Sequence, residues 1–218
     1  MNNIQRLDLL ADVGEEIFDQ TKDYRELMMR YNCAMLEVKT KLDVLNSQLS
    51  VENESSPFES IHCRIKSPKS VIGKLKRKGF PLTLQSIEEN LNDVAGIRVI
   101  CSFIDDIYTL SNRLCSQDDV NVVEIKDYIK APKENGYRSL HLILEIPIFL
   151  LKEKKYMRVE VQFRTIAMDF WASLEHKVRY KKDINNAEAV SKELKECADE
   201  ISRLDIKMQE IRRKINYT

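Results

Sequence analysis

The stretch Arg158–Glu175, RVEVQFRTIAMDFWASLE, decides how the chain is organised. Its first residues alternate between polar and apolar side chains, which is typical of a β-strand with one buried face. Val159, Val161 and Phe163 are expected on that buried face. The opposite face carries Arg158, Glu160, Gln162 and Arg164. Such a set suits a cleft that holds phosphates and a metal, but the solvated face of an open antiparallel sheet explains the same pattern.

A helix is expected directly after this strand, with Thr165 as its N-cap. The side chains predicted to face inward are Ile166, Phe170, Trp171, Leu174 and Val178, with Ala167 and Met168 filling gaps. We interpret this helix as structural, because its polar residues fall mainly on the outer sides.

The composition describes a globular chain without a strong overall electric field. Its 218 residues are 43% hydrophobic and 32% charged, which is enough for one catalytic domain with an appendage. Basic and acidic residues number 35 each, so the net charge is zero and any phosphate site must be local. This neutrality argues weakly against a nucleic-acid partner without excluding one.

Nothing in the sequence indicates export or a membrane partner. The first 20 residues lack a basic stretch and a cleavage site, and no apolar run approaches the roughly 18 residues that a membrane span needs. The five cysteines lie far apart without a C-x-x-C pair, which fits reduced thiols better than disulfides or a zinc site. We therefore expect a cytoplasmic protein.

Both ends of the chain are predicted to form long helices. Towards the N-terminus, apolar side chains recur in steps of four and three at Tyr24, Met28, Tyr31, Met35, Val38, Leu42, Leu45 and Leu49. Towards the C-terminus, they recur at Ala187, Val190, Leu194, Ile201, Leu204, Met208, Ile211 and Ile215. The N-terminal stripe fits either a helix laid on a sheet or a coiled-coil seam, and the C-terminal one either packing on the N-terminal helix or a contact with another subunit.

The expected organisation has three parts. Residues 1–56 form an N-terminal helical region that packs on the core or on another subunit, and residues 57–183 form the catalytic core. Residues 184–218 form a C-terminal helix that we expect to serve oligomerisation. Ser50–Ser60, rich in Ser, Glu and Asn, is predicted to be a loop.

A basic helix is predicted after Lys66, with Ser67 as N-cap, Pro68 at the first helical position and Gly79 at the end. Its buried side is formed by Val71, Ile72 and Leu75. Seven basic and no acidic residues lie in this region: Arg64, Lys66, Lys69, Lys74, Lys76, Arg77 and Lys78. A solvated helix face is the ordinary explanation, but the absence of compensating acids favours a phosphate-binding surface.

The segment SIEENLNDVAGIRVICSF (86–103) predicts a short helix that leads into a strand. Asp93 stands at the strand entrance, and Arg98 faces away from the apolar side chains beside it. A turn aspartate followed by a surface arginine explains these two residues equally well. A helix at 105–115 and a strand at 121–128 are expected next.

The segment KAPKENGYRSLHLILEIP (130–147) is predicted to turn at Asn135–Gly136 and then to form a strand. Period two places Tyr137, Ser139 and His141 on one face. An aromatic ring, a hydroxyl and an imidazole after a lysine-bearing loop can stack on a base and bind phosphate or ribose oxygens. A hairpin with a structural histidine is the alternative.

The glycines exclude two common ways of binding nucleotides. The only five are Gly14, Gly73, Gly79, Gly96 and Gly136. Neither G-x-x-x-x-G-K-[ST] nor G-x-G-x-x-G occurs, so phosphates must be held by side chains. Motifs for acyl transfer and zinc hydrolysis are also absent.

Four motifs follow one another along the chain: RIKSPKSVIGKLKRKG (64–79), NDVAGIRVI (92–100), DYIKAPKENGYRSLH (127–141) and VEVQFRTIAMDFWASLEHK (159–177). In this order they resemble the RelA/SpoT-type synthetase domain, whose stand-alone form is the small alarmone synthetase. The resemblance implies an α+β fold, with a mixed sheet flanked by helices, related to nucleotidyltransferases and bearing long terminal helices. The implied activity is transfer of pyrophosphate from ATP to the 3′-hydroxyl of GDP or GTP, and possible use of GMP, which yields AMP and the alarmones (p)ppGpp of the stringent response.

The resemblance also implies roles for individual residues. Asp93 and Glu160 resemble the carboxylates that bind Mg²⁺, and Glu160 is also expected to activate the 3′-hydroxyl. The implied ATP-binding residues are Arg64, Lys66, Ser70, Lys74, Arg77 and Arg98, with Arg64 and Arg98 sandwiching adenine. The implied GDP- and GTP-binding residues are Lys133, Asn135, Tyr137, His141 and Gln162, with Tyr137 stacking on guanine.

The family often forms homotetramers through its terminal helices, and we expect a homo-oligomer here. Some members carry, just before the first arginine, a segment tied to an activating alarmone; this chain has Ser60–Cys63 there, so we do not extrapolate that activation. Two other functions remain open. One is a pyrophosphokinase that modifies the 3′ end of transfer RNA, and the other is a nucleotide- or RNA-binding module without catalysis.

Overall fold

The computed structural model describes residues 21–53, 56–179 and 187–216. The predicted N-terminal opening, residues 1–20, lies outside the described residues. The helices are α1 (Lys22–Asn53), α2 (Pro68–Lys78), α3 (Leu84–Asn90), α4 (Ile104–Cys115), α5 (Ile166–Arg179) and α6 (Ala187–Asn216). The strands are β1 (Phe58–Ile65), β2 (Ala95–Cys101), β3 (Asn121–Asp127), β4 (Leu140–Phe149) and β5 (Lys154–Thr165).

The five strands form one mixed sheet in the order β1-β2-β5-β4-β3. β2 and β5 run parallel, whereas β1 with β2, β5 with β4 and β4 with β3 run antiparallel. Helices flank this sheet, so the predicted α+β class is confirmed. The parallel pair at the centre sets the entrance of β2 beside the middle of β5.

One face of the sheet carries the hydrophobic core. Val159, Val161 and Phe163 of β5 are fully buried there, as their alternation predicts. The helices α1 and α4 pack together against this face. Burying each such side chain stabilises the fold by about 1.5–3 kcal/mol, so the polar residues between them must face the other side.

The helix α1 lies on the sheet. Tyr24, Tyr31, Val38 and Leu42 are buried, and the helix contacts β1, β2, β4 and β5. Of the two arrangements that its apolar stripe allowed, the structure therefore shows the helix laid on the sheet. The predicted loop Ser50–Ser60 is wrong at both ends, because α1 continues to Asn53 and β1 begins at Phe58.

The end signals of α2 are confirmed. The Ser67 side chain accepts a hydrogen bond from the backbone N–H of Ser70, and Pro68 is the first helical residue. Gly79 ends the helix at φ 72°, a left-handed conformation that glycine adopts without steric cost. The predicted helices and strands on either side of Asp93 and from residue 104 to residue 127 are also present, as α3, β2, α4 and β3.

The inward face predicted for α5 is confirmed for Met168 and Trp171 and wrong for its other large apolar residues. In α5 the buried residues are Met168 and Trp171. The residues expected inside are half-exposed instead: Ile166, Phe170, Leu174 and Val178. In α6 the buried residues are Ala198, Asp205 and Gln209, while the apolar residues exposed to solvent include Leu204, Met208, Ile211 and Ile215. α6 packs against α5 and α4, and polar side chains take part in its buried contacts: Gln209 accepts from the Asp105 N–H and Asp205 accepts from the Thr165 hydroxyl. Apolar periodicity cannot detect these polar contacts.

Within the described ranges, no helix is both long enough and apolar enough to cross a membrane.

Candidate active site

Strand pairing assembles a row of polar side chains on the sheet face opposite the core. His62 pairs with Arg98, Arg98 with Gln162, Gln162 with His141, and His141 with Lys126. These five residues come from five different strands. Paired residues of neighbouring strands point to the same face, so the row crosses the whole sheet.

A second row lies one step along the strands. Arg64 of β1 pairs with Gly96 of β2, and Gly96 pairs with Glu160 of β5. Gly96 has no side chain, and a Cβ placed there would meet only the Arg64 carbonyl oxygen, at 3.8 Å. The surface between Arg64 and Glu160 is therefore open for a ligand.

Asp93 lies just before β2 and is held by two lysines. Its Oδ2 accepts hydrogen bonds from Lys66 Nζ at 2.7 Å and from Lys74 Nζ at 2.6 Å. Burial raises the pKa of Asp93, but these two ammonium groups outweigh it, and the pKa lies below its usual value. The carboxylate is therefore ionised at neutral pH. Two predicted phosphate-binding lysines thus meet a predicted metal-binding carboxylate.

Glu160 is held by His141 and Gln162, two of the residues predicted to bind GDP or GTP. Its Oε1 lies 3.1 Å from His141 Nδ1, and its Oε2 accepts a hydrogen bond from Gln162 Nε2 at 2.9 Å. Burial raises the Glu160 pKa, whereas the imidazole and the amide lower it, and the net pKa lies below the usual value. Glu160 is therefore an ionised carboxylate with a fixed orientation.

The donors and acceptors around His141 define its tautomer. Arg164 Nη2 donates to the Tyr137 hydroxyl at 2.8 Å, because a guanidinium group can only donate. The tyrosine proton is then free for His141 Nε2, 2.9 Å away. Nδ1 faces the Glu160 carboxylate, which can only accept, so Nδ1 carries a proton and donates it to Glu160. Arg164, Tyr137, His141 and Glu160 form one chain of hydrogen bonds.

Asp93 and Glu160 act on each other electrostatically. The charge of Asp93 raises the pKa of Glu160, opposing the groups that lower it. This interaction is consistent with the register, in which Gly96, three residues after Asp93, stands beside Glu160. Like charges repel, so a cation near Asp93 and Glu160 would offset this repulsion.

The carboxylate oxygens at this site are suited to bind a divalent cation. Asp93 Oδ1 is buried and, in the part of the chain that the structure describes, has no hydrogen-bond partner. The described residues contain no group of three or more His, Cys, Asp or Glu side chains that could hold a metal. Magnesium commonly needs only one or two carboxylates because nucleotide phosphates and water supply the remaining ligands. Asp93 and Glu160 meet that requirement.

An aromatic cluster borders the acceptor side. The Tyr128, Tyr137 and His141 rings contact one another edge to face, with centroids 5.3–6.0 Å apart. Lys133 Nζ lies 5.0 Å from the Tyr137 ring centroid and 4.6 Å from that of Tyr128. The cation over Tyr137 occupies a position that a flat base could take instead. Sequence reasoning missed Tyr128, although it belongs to the same motif as Lys133 and Tyr137.

Ser139 of the predicted strand and Asn135 of the predicted turn bond to the protein itself. The strand β4 begins at Leu140, so Tyr137 and Ser139 precede it, contrary to the prediction. Ser139 is fully buried, and its hydroxyl donates to the Phe163 carbonyl. Asn135 accepts from the Tyr137 N–H and donates to Glu175 of α5. Its amide is therefore engaged with protein rather than directed at open space.

Arg98 is not a free cation. Its Nη1 lies 3.4 Å from Asp169 Oδ1, which also accepts a hydrogen bond from Arg164 Nη1 at 2.9 Å. Asp169 thus links the two arginines. Burial and the neighbouring Arg164 lower the pKa of Arg98, and Asp169 raises it in part. Arg164 and Asp169 were absent from the predicted site residues, although both lie in the stretch Arg158–Glu175.

The remaining predicted ATP-binding residues lie at the start and the outer face of α2. Ser70 shares a hydrogen bond of 2.9 Å with Ser67, and Arg77 is exposed. Of the α2 residues predicted to bind ATP, Lys74 contacts the Asp93 carboxylate.

The model of the region found in RelA / SpoT proteins matches residues 63–185 of this chain. The chain belongs to the RelA/SpoT family. The matched region starts at the end of β1 and includes α2 to α5 with the remaining four strands. All of the site residues described above except His62 lie within this RelA/SpoT region.

Relatives within the RelA/SpoT family extend the likeness to both terminal helices. The GTP pyrophosphokinase YwaC of Bacillus subtilis (strain 168) is 40% identical over 210 residues, which cover 96% of this chain and 100% of the relative. The crystal structure of small alarmone synthetase 1 from Bacillus subtilis bound to its product pppGpp gives a TM-score of 0.80 at 37% identity, over 89% of this chain and 99% of that one. The same synthetase bound to AMPCPP gives a TM-score of 0.75 at 35% identity, over 91% and 100%.

Proposed function

We propose that this protein is a GTP pyrophosphokinase that transfers pyrophosphate from ATP to the 3′-hydroxyl of GDP or GTP. The observation that carries the proposal is that Glu160 pairs with Gly96 of β2 while Asp93, just before the same strand, acts on it electrostatically; lysines hold Asp93 and an imidazole holds Glu160. The relatives named pyrophosphokinase, and the synthetase structures bound to pppGpp and to the ATP analogue AMPCPP, support the same reaction.

Mg²⁺ is proposed as the cofactor, held by Asp93 and Glu160. When bound, it offsets the charge of the transferring phosphates and orients them. The lysines on Asp93 prepare this arrangement, because Lys66 and Lys74 keep the carboxylate ionised before the nucleotide arrives. When ATP binds, its phosphates can replace Asp93 as the hydrogen-bond partners of the two ammonium groups.

Glu160 is proposed as the base. The 3′-oxygen of the acceptor attacks the β-phosphorus of ATP as its proton passes to Glu160, and the bond from that phosphorus to the α–β bridging oxygen breaks. AMP leaves with that oxygen, and the pyrophosphoryl group remains on the acceptor. His141 Nδ1–H holds Glu160 in place, so the remaining carboxylate lone pairs can receive the proton.

The acceptor nucleotide is proposed to lie against Tyr137, with guanine stacked on its ring. The ammonium of Lys133 would then move from the ring to the acceptor phosphates. His141 and Gln162 are proposed to place the acceptor nucleotide. Because both also hold Glu160, the ribose would then lie beside the base. Asn135 is proposed to act chiefly by shaping the turn before Tyr137.

On the donor side, Arg64 and Arg98 are proposed to enclose adenine, while Lys66, Ser70, Lys74 and Arg77 bind the phosphates. Arg64 and Arg98 belong to adjoining strands and point to the same face. The guanidinium plane of Arg98 is fixed by Asp169, which suits stacking on a base.

We further propose a cytoplasmic homotetramer built through α5 and α6. Both helices expose apolar side chains: Ile166, Phe170 and Leu174 on α5, and Leu204, Met208, Ile211 and Ile215 on α6. Such surfaces are typical of subunit contacts. Light scattering coupled to gel filtration tests this part, and a monomer at micromolar concentration would contradict it.

The activity test uses purified protein with ATP, Mg²⁺ and each acceptor in turn: GMP, GDP, GTP and transfer RNA. We expect AMP and a 3′-pyrophosphorylated guanine nucleotide, resolved by anion-exchange chromatography. Transfer to RNA but not to free nucleotides would indicate the transfer-RNA pyrophosphokinase instead. Nucleotide binding without AMP release would indicate a silent binding module.

A further inference from the structure

The segment between β3 and β4, residues 128–139, carries Tyr137 and is named here the acceptor loop. Its start is fixed by Asp127, whose carboxylate accepts from the N–H groups of Ile129 and Lys130. Its end is fixed by the Tyr128 N–H, which donates to the Ser139 carbonyl. The part that presents the tyrosine lies between these two ties and makes further contacts with α6.

Arg138 is the main polar link between the acceptor loop and α6. Its Nη1 donates to the Gly136 carbonyl at 3.1 Å and to the Ala198 carbonyl at 3.2 Å. Its Nη2 donates to Asp199 Oδ1 at 3.0 Å. The side chain is 15% exposed, so this guanidinium is largely withdrawn from water. One planar group therefore ties a loop carbonyl and two α6 acceptors together.

Gly136 lies against the same turn of α6. Its φ is 87°, and a Cβ built there would stand 2.6 Å from the Ala198 Cβ. Gly136 and Arg138 are the two chain neighbours of Tyr137, so α6 holds the backbone on both sides of the ring. The hydroxyl end of the ring is held separately by His141 and Arg164.

We propose that Arg138 is a positioning residue for the acceptor nucleotide, which fastens the acceptor loop to α6 and so sets the Tyr137 ring at the height of the base. This inference rests on the proposed function. It gives α6 a part in acceptor binding through its contacts with Gly136 and Arg138, the two chain neighbours of Tyr137. Stacking needs contact between the tyrosine ring and the flat face of the base, so displacing the ring weakens binding of the nucleotide.

Steady-state kinetics of Arg138→Ala and Arg138→Lys test the proposal, with ATP and GDP varied in turn. We expect Arg138→Ala to raise the KM for GDP by about 10- to 100-fold while the KM for ATP stays within about twofold. Arg138→Lys keeps the charge but loses the planar fork, so an intermediate rise in the GDP KM is expected. Equal effects on both substrates, or none, would overturn the proposal.

Arg213→Ala is the matched control. Arg213 is also an arginine that bonds an aspartate, Asp105 at the start of α4. It lies on α6 far along the helix from the residues that contact the acceptor loop. We expect its GDP KM to equal that of the wild type. Circular dichroism and the thermal midpoint identify variants that fail to fold, and Asp199→Ala then provides a milder loss of the same link, with a smaller rise in the GDP KM expected.

The activity of the wild-type protein distinguishes a failure of the proposed function from a failure of the proposed role of Arg138. If it releases no AMP with any guanine acceptor, the proposed function fails. If it is active and Arg138→Ala leaves the GDP KM unchanged in a folded protein, only the role of Arg138 fails.

Discussion

Nδ1 of His141 lies 3.1 Å from Oε1 of Glu160, and the two residues belong to neighbouring antiparallel strands, β4 and β5. This contact joins the aromatic cluster to the carboxylate that we propose as the base. The Tyr137 hydroxyl bonds the other ring nitrogen of His141, so this chain of hydrogen bonds is complete without a ligand. Substitutions at the tyrosine therefore separate its ring from its hydroxyl.

Tyr137→Phe keeps the ring and removes the hydroxyl. His141 Nε2 loses its donor and Arg164 Nη2 loses an acceptor, so we expect kcat to fall roughly tenfold with little change in the GDP KM. Tyr137→Ala also removes the stacking surface, and we expect it to raise the GDP KM by about tenfold or more. Steady-state kinetics check both results, and a rise in the GDP KM for Tyr137→Phe equal to that for Tyr137→Ala would contradict this division.

Lys74→Ala tests the donor side. It removes one of the two ammonium groups on Asp93, which we propose pass to the ATP phosphates. A charged hydrogen bond contributes about 1.5–3 kcal/mol, so kcat/KM for ATP should fall about 10- to 100-fold. Lys76→Ala is the control, because Lys76 is an exposed lysine of the same helix. The idea fails if both variants lose the same amount.

Gly136→Ala and Gly79→Ala form a matched pair for stability. Both glycines have positive φ, and an alanine at either position costs about 1–2 kcal/mol. A Cβ at Gly79 meets open space, whereas one at Gly136 would overlap Ala198. We expect the free energy of unfolding in urea to fall further in Gly136→Ala, by about another 1–3 kcal/mol. Equal losses would show that α6 does not press on the loop.

The pKa of Glu160 predicts how stability responds to acid. Because this pKa is lower in the folded than in the unfolded chain, the carboxylate stabilises the fold above the ordinary value of about 4.3. That stabilisation is lost as the pH falls through the folded pKa. Urea unfolding between about pH 6 and pH 3 should therefore show a shallower acid slope in Glu160→Gln than in the wild type. Identical slopes would contradict the lowered pKa.

Much of the fold follows from local signals in the sequence. The alternation of Val159, Val161 and Phe163 gave the buried face of β5, and Ser67 and Gly79 marked both ends of α2. The edge strand β1 was missed because its side chains are mostly half-exposed or exposed, so no apolar alternation marks it.

Periodicity predicted Met168 and Trp171 on the inner side of α5, but not which other residues of α5 and α6 are buried. An apolar stripe shows that a helix has one hydrophobic side, but it does not show what covers that side. Here Asp205 of α6 accepts from the Thr165 hydroxyl and Gln209 accepts from the Asp105 N–H, so polar side chains fill the inner contact. Each polar group is satisfied there, which removes the cost of burying it.

The site was predicted in part for the same reason. The sequence motifs identified Asp93, Glu160 and Tyr137 as site residues. Contacts between side chains of different strands depend on the strand register, which the motifs do not give. Arg164 and Asp169 are five residues apart, and their ion pair becomes meaningful only when β2 brings Arg98 beside them.

Product formation by Glu160→Gln, with ATP, GDP and Mg²⁺, tests the central claim most directly. Glu145→Gln is the control, because Glu145 lies on the same sheet face and pairs across the strands with Arg158. We expect AMP release by Glu160→Gln to fall by about 100-fold or more with both nucleotides still bound, and Glu145→Gln to remain close to the wild type. Turnover by Glu160→Gln near that of the wild type would remove this carboxylate from the reaction.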